Sequence, residues 1–341
     1  MKVAIVILNW NGKEMMREYL PSVIEHTQNE GVKVIVADNG STDGSVAMLA
    51  KEFPDTPLVI LESNYGFAEG YNKALAQIKA DYYLLLNSDV EVKDDNWVEV
   101  MLSYMEQHQD VAACQPKIMA LKRPDYFEYA GAAGGYIDNY GYPFCRGRIL
   151  DCVEKDEGQY NLPVDVFWAT GAALMVRAQD YWEAGGLDSR FFAHMEEIDF
   201  CWRIKAAGKR IVCLPQSKVY HLGGASLNQG NPRKTFLNFR NNLLMLYKNL
   251  PDNELKPVLR MRAWLDFLAA VHFLVKFDWA NFKAVFKAKR EFKRMKAEMA
   301  DDRKRNLQRT VVDRTNERTG FSVLWQYYFR RRKKFNQLPM P

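Results

Sequence analysis

Cysteine is scarce in the 341 residues and follows no pattern. Cys114, Cys145, Cys152, Cys201 and Cys213 are odd in number, and no two have zinc-ligand spacing. Buried free thiols in a reducing cytosol are therefore expected, rather than a disulfide framework or a structural zinc. No apolar run reaches the length of a membrane-spanning helix. Residues 3–8 are too short for a secretion signal and lack a cleavage site. The glycine fingerprint of dinucleotide sites is missing after Leu8, and the Walker pattern is missing throughout, which disfavours both kinds of nucleotide site. Internal repeats and low-complexity tracts are absent too.

What is present suits a large packed protein. Hydrophobic residues make up 48% of the chain, aromatic residues 13% and charged residues 26%, so a sizeable core is affordable and disorder is not indicated. One large domain with a smaller appendage is expected. The net charge of +5 hides an asymmetry. From residue 233 onward, 26 Lys and Arg face 10 Asp and Glu, whereas the upstream part has 21 against 32. The tail ends in Arg330-Arg331-Arg332-Lys333-Lys334, close to Trp325, Tyr327, Tyr328 and Phe329.

Residues 3–8 form a continuous apolar run, which reads as a parallel strand covered on both faces. Helical spacing follows over 13–27, with Met16, Leu20, Val23 and Ile24 on one side. A second strand covers 32–37, a helix about 46–53, a third strand 58–62, a helix 70–79 and a fourth strand 82–86. This alternation predicts an α/β fold, a doubly wound, mostly parallel sheet flanked by helices. The loops 9–12, 38–45 and 87–89 then meet at the carboxyl edge, where open α/β sheets bind ligands. Residues 120–165, rich in Gly, Tyr and Pro, read as long loops with short strands. A short helix is expected over 199–207 and a strand over 210–214, with His221 in a flexible loop beyond it. From residue 232 onward the spacing is helical, which gives a C-terminal helical extension.

Four places in this order could carry chemistry. Asp38 ends a strand, and its carboxylate could accept hydrogen bonds from a base or ribose; equally, 38–45 could be a plain polar turn. Asn87-Ser88-Asp89 delivers a carboxylate to the ligand edge, where it could hold Mg²⁺ or Mn²⁺ against a diphosphate, or simply cap the next element. Glu196, Glu197 and Asp199 pack three acids into four positions. Like charges raise at least one pKa and suit a general base, but acids also favour a helix N-terminus for structural reasons. His221 could ligate Mn²⁺ as neutral imidazole or serve as a structural hydrogen-bonder.

Together these stretches resemble the family-2 glycosyltransferases of the GT-A fold, in particular the bacterial rhamnosyltransferase-like branch. The matching motifs are Val6 to Asn11, Asp38-Asn39-Gly40-Ser41-Thr42-Asp43-Gly44-Ser45, Asn64-Tyr65-Gly66-Phe67-Ala68 through Asn72, Leu84 to Asp89, Thr170-Gly171-Ala172, the acidic cluster and His221. They keep the family's order over about residues 3 to 225. The resemblance implies an inverting transfer from a nucleotide diphosphate sugar, dTDP-rhamnose or a UDP-sugar, to a hydroxyl of a glycan or lipid-linked acceptor in surface polysaccharide synthesis. It implies that Asp38 contacts the donor base, with Leu8, Asn9, Asn11 and Asn39 nearby. Asn64, Gly66, Phe67 and Asn72 would border nucleotide and sugar, beside Asn87 and Ser88. Asp89 and His221 would hold Mg²⁺ or Mn²⁺. Trp168, Thr170 and Gly171 would lie on the acceptor side. Glu197 falls on the position of the catalytic base, with Glu196 beside it and Asp199 in support. Two spellings depart from the common pattern: Asn87 stands where many relatives carry Asp, and Glu196-Glu197 stands where Glu-Asp is commoner. The second leaves the base open between the two glutamates.

On this reading residues 1–230 are the catalytic domain, with the donor part in about 1–115 and the acceptor part in about 116–230, and 231–341 are the basic extension. The expected location is the cytoplasm. The basic extension reads either as packing helices with solvated faces or as a peripheral contact with the inner face of the membrane, where Lys and Arg beside Trp264, Phe267, Phe273, Phe277, Trp279 and Phe282 suit anionic headgroups. No nucleic-acid module is recognisable, so nucleic acid is not an expected partner. A nucleotidyltransferase is the second reading of function, but it would want a basic Gly-rich loop where Asn9-Trp10-Asn11-Gly12 stands. The third is a non-catalytic binding protein, which would be expected to have lost an acid that this chain keeps.

Overall fold

A computed structural model describes residues 1–223 and 230–340. Its first part follows the expected alternation: β1 (Val3–Asn9), α1 (Lys13–Glu25), β2 (Val32–Asp38), α2 (Ser45–Glu52), β3 (Leu58–Ile60), α3 (Gly66–Leu75) and β4 (Tyr82–Leu86). β1 pairs in parallel with both β2 and β4, in a register that sets Asn9 beside Asp38. One boundary differs from expectation. α3 starts at Gly66 rather than Gly70, because the Asn64 side chain accepts the Gly66 N–H at 2.8 Å and so stands in for the missing turn.

Beyond β4 come β5 (Val90–Glu91), α4 (Trp97–Gln107), β6 (Val111–Ala120) and β7 (Arg123–Phe127). A small separate sheet follows, built from β8 (Gly135–Ile137), β9 (Pro143–Cys145), β10 (Arg148–Ile149) and β11 (Cys152–Val153). The main sheet is completed by β12 (Val164–Asp165), β13 (Ala173–Arg177) and β14 (Arg210–His221), with α5 (Ala178–Glu183) and α6 (Glu196–Ala206) between the last two. Its strand order is β12-β14-β6-β13-β4-β1-β2-β3. β13 runs antiparallel between β4 and β6, and β14 runs parallel to β6. The carboxyl end of β14 therefore lies at the same edge as those of β1, β2 and β4.

Here the structure corrects the sequence expectation. His221 is not in a flexible loop; it is the last residue of β14. The strand is interrupted between Leu214 and Lys218, where its register shifts against β6. Pro215 has no N–H to give the ladder, so the chain bulges there and resumes. α6 likewise begins at Glu196 rather than at Asp199, so all three acids lie in its first turn, where the helix dipole favours them.

The apolar residues fall on two faces of the sheet. On one, Val3, Ile5 and Ile7 meet α1, α2 and α4. On the other, Ala4 and Val6 meet α3 and α6. That second core does not stop at the sheet. It continues into α7 (Pro232–Asn249), α8 (Asp252–Val275) and α9 (Trp279–Met295) through Leu243 to Leu246, Val258 and Phe292. It reaches past α10 (Ala300–Arg309) to Val323 in α11 (Val323–Tyr328) and to Leu338. The C-terminal helices are thus packed on the sheet through a shared core.

Candidate active site

Loops 9–12 and 38–45 are zipped to one another. Asp38 is buried; its Oδ2 accepts from Asn9 Nδ2 at 3.0 Å and its Oδ1 from the Ser41 N–H at 2.8 Å. Asn11 adds to the zip by accepting the Thr42 N–H at 2.7 Å. Asn39 reaches the next loop, donating to the Gly66 carbonyl at 2.9 Å and accepting the Tyr65 N–H. Gly70 permits this, because a Cβ there would lie 2.9 Å from Asn39 Nδ2 and 3.0 Å from Leu8 Cδ2. Asn72 turns to the opposite end of α3, where it bonds the Leu187 backbone and Tyr181. Of the residues expected to line the donor, Asp38, Asn39, Asn64 and Asn72 spend their side chains holding loops together.

The strand ends bring Asp89 and His221 into contact, Oδ1 to Nε2 at 3.1 Å. Asn87 Nδ2 lies 3.2 Å from the same Nε2, and Ser88 between them is half-buried. On the other side of the ring, Glu128 Oε1 lies 3.6 Å from Nδ1. Burial alone would push the imidazole down, yet the two carboxylates hold it up to about 10. Burial pushes the Asp89 carboxyl up, but His221 outweighs it and holds the group below its ordinary value. Glu128 had no sequence signal. It sits in the irregular middle segment, and only the β6–β7 hairpin places it here.

The residues fit a divalent cation with few protein ligands. Two buried carboxylates flank one imidazole, whose Nδ1 has no hydrogen-bond partner. Nε2 meets both an acceptor, Asp89, and a donor, Asn87, which no single protonation state of the ring satisfies. A neutral His221, with Nδ1–H toward Glu128, would give Nδ1 a partner and leave the Nε2 lone pair for a cation shared with Asp89, the usual carboxylate–histidine–metal arrangement. Among the described residues there is no group of three or more His, Cys, Asp and Glu arranged to hold a metal. Asp89 and His221 would therefore leave the remaining positions to phosphate oxygens and water.

The acids of α6 divide. Glu196 is buried and Glu197 half-buried, and each has an Oε2 without a partner. Burial raises the Glu197 carboxyl to about 7. It raises Glu196 further, with the Glu197 charge adding to the effect. Gly171 lies against Glu197: a Cβ on it would be 3.0 Å from Phe67 Cζ and 3.9 Å from Glu197 Cβ. The neighbouring Ala172 carbonyl accepts the Asn87 N–H at 3.0 Å. A short chain of contacts thus joins Glu197, Gly171, Asn87 and His221. Asp199 is not part of it. Fully buried, it accepts from Lys248 Nζ at 2.8 Å, Asn249 Nδ2 at 2.8 Å and Arg203 Nε at 3.1 Å, all on the side facing α7 or its own helix. Trp168 is also elsewhere, in the core against Gly135, with Nε1 donating to the Tyr136 carbonyl at 2.9 Å. Thr170 is buried, with its N–H bound by Gln115.

This mixed sheet, with its loops at one edge and its helical C-terminal region, has the GT-A glycosyltransferase architecture. The structure of GalNAc-T7 with UDP, GalNAc and Mn²⁺ matches it with a TM-score of 0.58 at 15% identity, over 74% of this chain and 49% of that one. In sequence, residues 4–140 match the family model described as Glycosyl transferase family 2. An O-antigen biosynthesis protein, RfbC, of Myxococcus xanthus is 26% identical over 66% of this chain, which spans only 18% of that relative. An N-acetylglucosaminyl-diphospho-decaprenol L-rhamnosyltransferase of Mycobacterium tuberculosis is 26% identical, over 64% of this chain and 75% of its own length. Residues 4–140 thus carry the family-2 glycosyltransferase pattern, and the curated relatives that the chain resembles include rhamnosyltransferases.

Proposed function

We propose that the protein moves a sugar from a nucleotide diphosphate donor, dTDP-rhamnose or a UDP-sugar, to a hydroxyl of a glycan or lipid-linked acceptor, with inversion, in the synthesis of a surface polysaccharide. The observation that carries this reading is the placement of Glu197. It is a half-buried carboxylate with a pKa raised to about 7, an oxygen without a partner, and a contact chain through Gly171 to the Asp89–His221 pair. A base with a pKa near the working pH combines the correct protonation state with useful proton affinity. Glu197 takes the proton from the acceptor hydroxyl, whose oxygen attacks the anomeric carbon in one displacement. Burial and the Glu197 charge raise Glu196 well above its ordinary value, which disfavours two charges on the pair. Asp89 and His221 would hold Mg²⁺ or Mn²⁺, which would neutralise charge on the departing diphosphate. The zipped loops around Asp38, Asn39 and Asn64 shape the donor nucleotide's floor, and Gly171 with Phe67 separates donor from acceptor. In this division residues 1–230 do the catalysis and 231–341 support it.

A thermal-shift series with UDP, dTDP and GDP, each with and without Mn²⁺, tests the donor class. Ligand at about 100 times its Kd stabilises the fold by roughly 2.7 kcal/mol. A rise in Tm with one diphosphate that EDTA reverses is the expected result. No rise with any of the three in the presence of Mn²⁺ would sink the reading.

The basic extension is proposed to rest on an anionic membrane surface. α8, the turn after it and the start of α9 carry large exposed apolar side chains: Trp264 is 65% exposed, Phe277 82% and Trp279 55%. Exposed Lys276, Lys283, Lys287 and Arg290 accompany them. Apolar anchors with a cationic surround suit a helix lying in the headgroup region, and no described helix is long and apolar enough to cross the bilayer. The protein is expected to sediment with phosphatidylglycerol vesicles at low salt and to be released by the double change Trp264→Glu/Phe277→Glu, which alters two exposed side chains. Wild-type protein remaining in the supernatant at low salt would count against the contact.

A further inference from the structure

Three of the four residues that precede Glu196 have positive φ, and none is glycine: Phe192 at 66°, His194 at 69° and Met195 at 72°. L residues avoid this region because Cβ crowds the carbonyl oxygen. Such backbone persists only where its surroundings over-determine it, and it clusters at functional sites. The surroundings here come from α7. The buried Asn241 side chain aims Nδ2 at three carbonyls of the turn: Phe191 at 3.0 Å, Ala193 at 2.8 Å and His194 at 2.7 Å. Its Oδ1 accepts from Arg240 Nε at 2.8 Å, which leaves the amide one orientation, donors toward the turn. Arg240 Nη2 adds bonds to the Arg190 and Phe191 carbonyls. Two turns further along α7, Lys248 and Asn249 grip Asp199 in the first turn of α6. α7 therefore holds the chain on both sides of Glu196 and Glu197, through backbone carbonyls before the pair and through the Asp199 side chain after it.

We infer that Asn241 is a positioning residue for the Glu196–Glu197 pair: its amide fixes the left-handed turn that aims both carboxylates, and it thereby sets the rate of transfer without contributing to donor binding. The inference rests on the proposed assignment of that pair as the proton-accepting site. Asn241 makes no hydrogen bond to either carboxylate; it acts through the backbone. An apolar side chain of the same size would take the donor from the Ala193 and His194 carbonyls, leave the Phe191 carbonyl to Arg240 and the Ala193 N–H, and release the turn.

The test compares wild type, Asn241→Leu and the double variant Asn241→Leu/Met195→Gly. Turnover is read as nucleoside diphosphate release from dTDP-rhamnose and UDP-N-acetylglucosamine, and binding as the Kd of dTDP and UDP with Mn²⁺ by calorimetry. Asn241→Leu is expected to lower kcat about 100-fold, the cost of a misplacement on the order of 1 Å, with Kd unchanged. Glycine at 195 adopts the left-handed conformation without the side-chain penalty, so the double variant is expected to recover a large part of the loss. Should Asn241→Leu not fold, Arg240→Gln, which frees the amide to turn over, is expected to lower kcat in the same way. A folded variant with kcat near wild type, or an equal loss of kcat and binding that Met195→Gly does not relieve, overturns the inference. Glu196→Gln and Glu197→Gln, run alongside, separate the two levels. If both keep full turnover, the assignment of the pair fails and this inference with it. If turnover is lost there but not in Asn241→Leu, only the role of Asn241 fails.

Discussion

Glu197→Gln is expected to lower kcat by about 10²- to 10⁴-fold, the range over which a positioned general base contributes, while nucleoside diphosphate and Mn²⁺ still bind. The change replaces one oxygen with an amide of the same shape. It leaves the α6 backbone and the Gly171 contact in place and removes only the ability to take a proton. Glu196→Gln is expected to do less, because burial and the neighbouring charge raise Glu196 well above its ordinary value and disfavour its carboxylate. The pH profile gives a second reading of the same assignment. The active form of Glu197 is the carboxylate, and burial raises its pKa to about 7. Turnover in the wild type should therefore climb through pH 6 to 8 and flatten above, rather than level off near pH 5 as an ordinary glutamate would allow. A flat profile from pH 5 upward, together with an active Glu197→Gln enzyme, would remove Glu197 as the base. An inactive Glu196→Gln beside it would move the role one residue back.

The two kinds of structural information in the sequence were unequal. Strands β1 and β4 are covered on both faces and read as unbroken apolar runs, and β2 does so from Val34 to Ala37. Once their order was legible, the meeting of Asn9, Asp38 and Asn87 at one edge followed from topology. Position within a helix was another matter. Glu196, Glu197 and Asp199 are equivalent as a string of acids, yet α6 turns about 100° per residue. That rotation leaves Glu197 beside Gly171 and sends Asp199 into α7, whose Lys248 and Asn249 are distant in sequence. Nothing in the acidic motif names that neighbour. Trp168, expected on the acceptor side, has its ring against Gly135 of the small sheet, a neighbour that nothing beside Thr170-Gly171 names. One signal was available and easily passed over. Arg240-Asn241-Asn242 interrupts an apolar helix with three polar residues, and all three are buried in the structure. Buried polar side chains must find partners, so such a break inside an apolar stripe marks a helix that holds something in place.

The same helix carries the largest expected effect on stability. Lys248→Met is predicted to destabilise the fold by about 3 kcal/mol, the lower end of what breaking a buried ion pair costs. Lys248 Nζ lies 2.6 Å from Asp188 and 2.8 Å from Asp199, and all three side chains are almost wholly out of water. Methionine fills the stem's volume but supplies no charge, so two carboxylates are left with one cation fewer between them. The loss is held to the lower end because Arg190 still serves Asp188 and Arg203 still serves Asp199. At roughly 2.1 cal/mol/K per residue of unfolding entropy, this corresponds to a Tm lower by about 4 °C. Lys283→Met, which alters an exposed lysine on α9, is the matched control and should change nothing measurable. The gap also has a pH signature. Burial pushes the Asp188 carboxyl up, but Arg190 and Lys248 outweigh it and hold its pKa below the ordinary value in the folded protein. A depressed carboxyl stabilises the fold above its unfolded pKa and loses that contribution as pH falls through the folded one. The difference between wild type and Lys248→Met should therefore be full at pH 6 to 7 and narrow below about pH 4. Equal urea midpoints for the two proteins at pH 7 would mean that Lys248 is dispensable to the contact between α6 and α7.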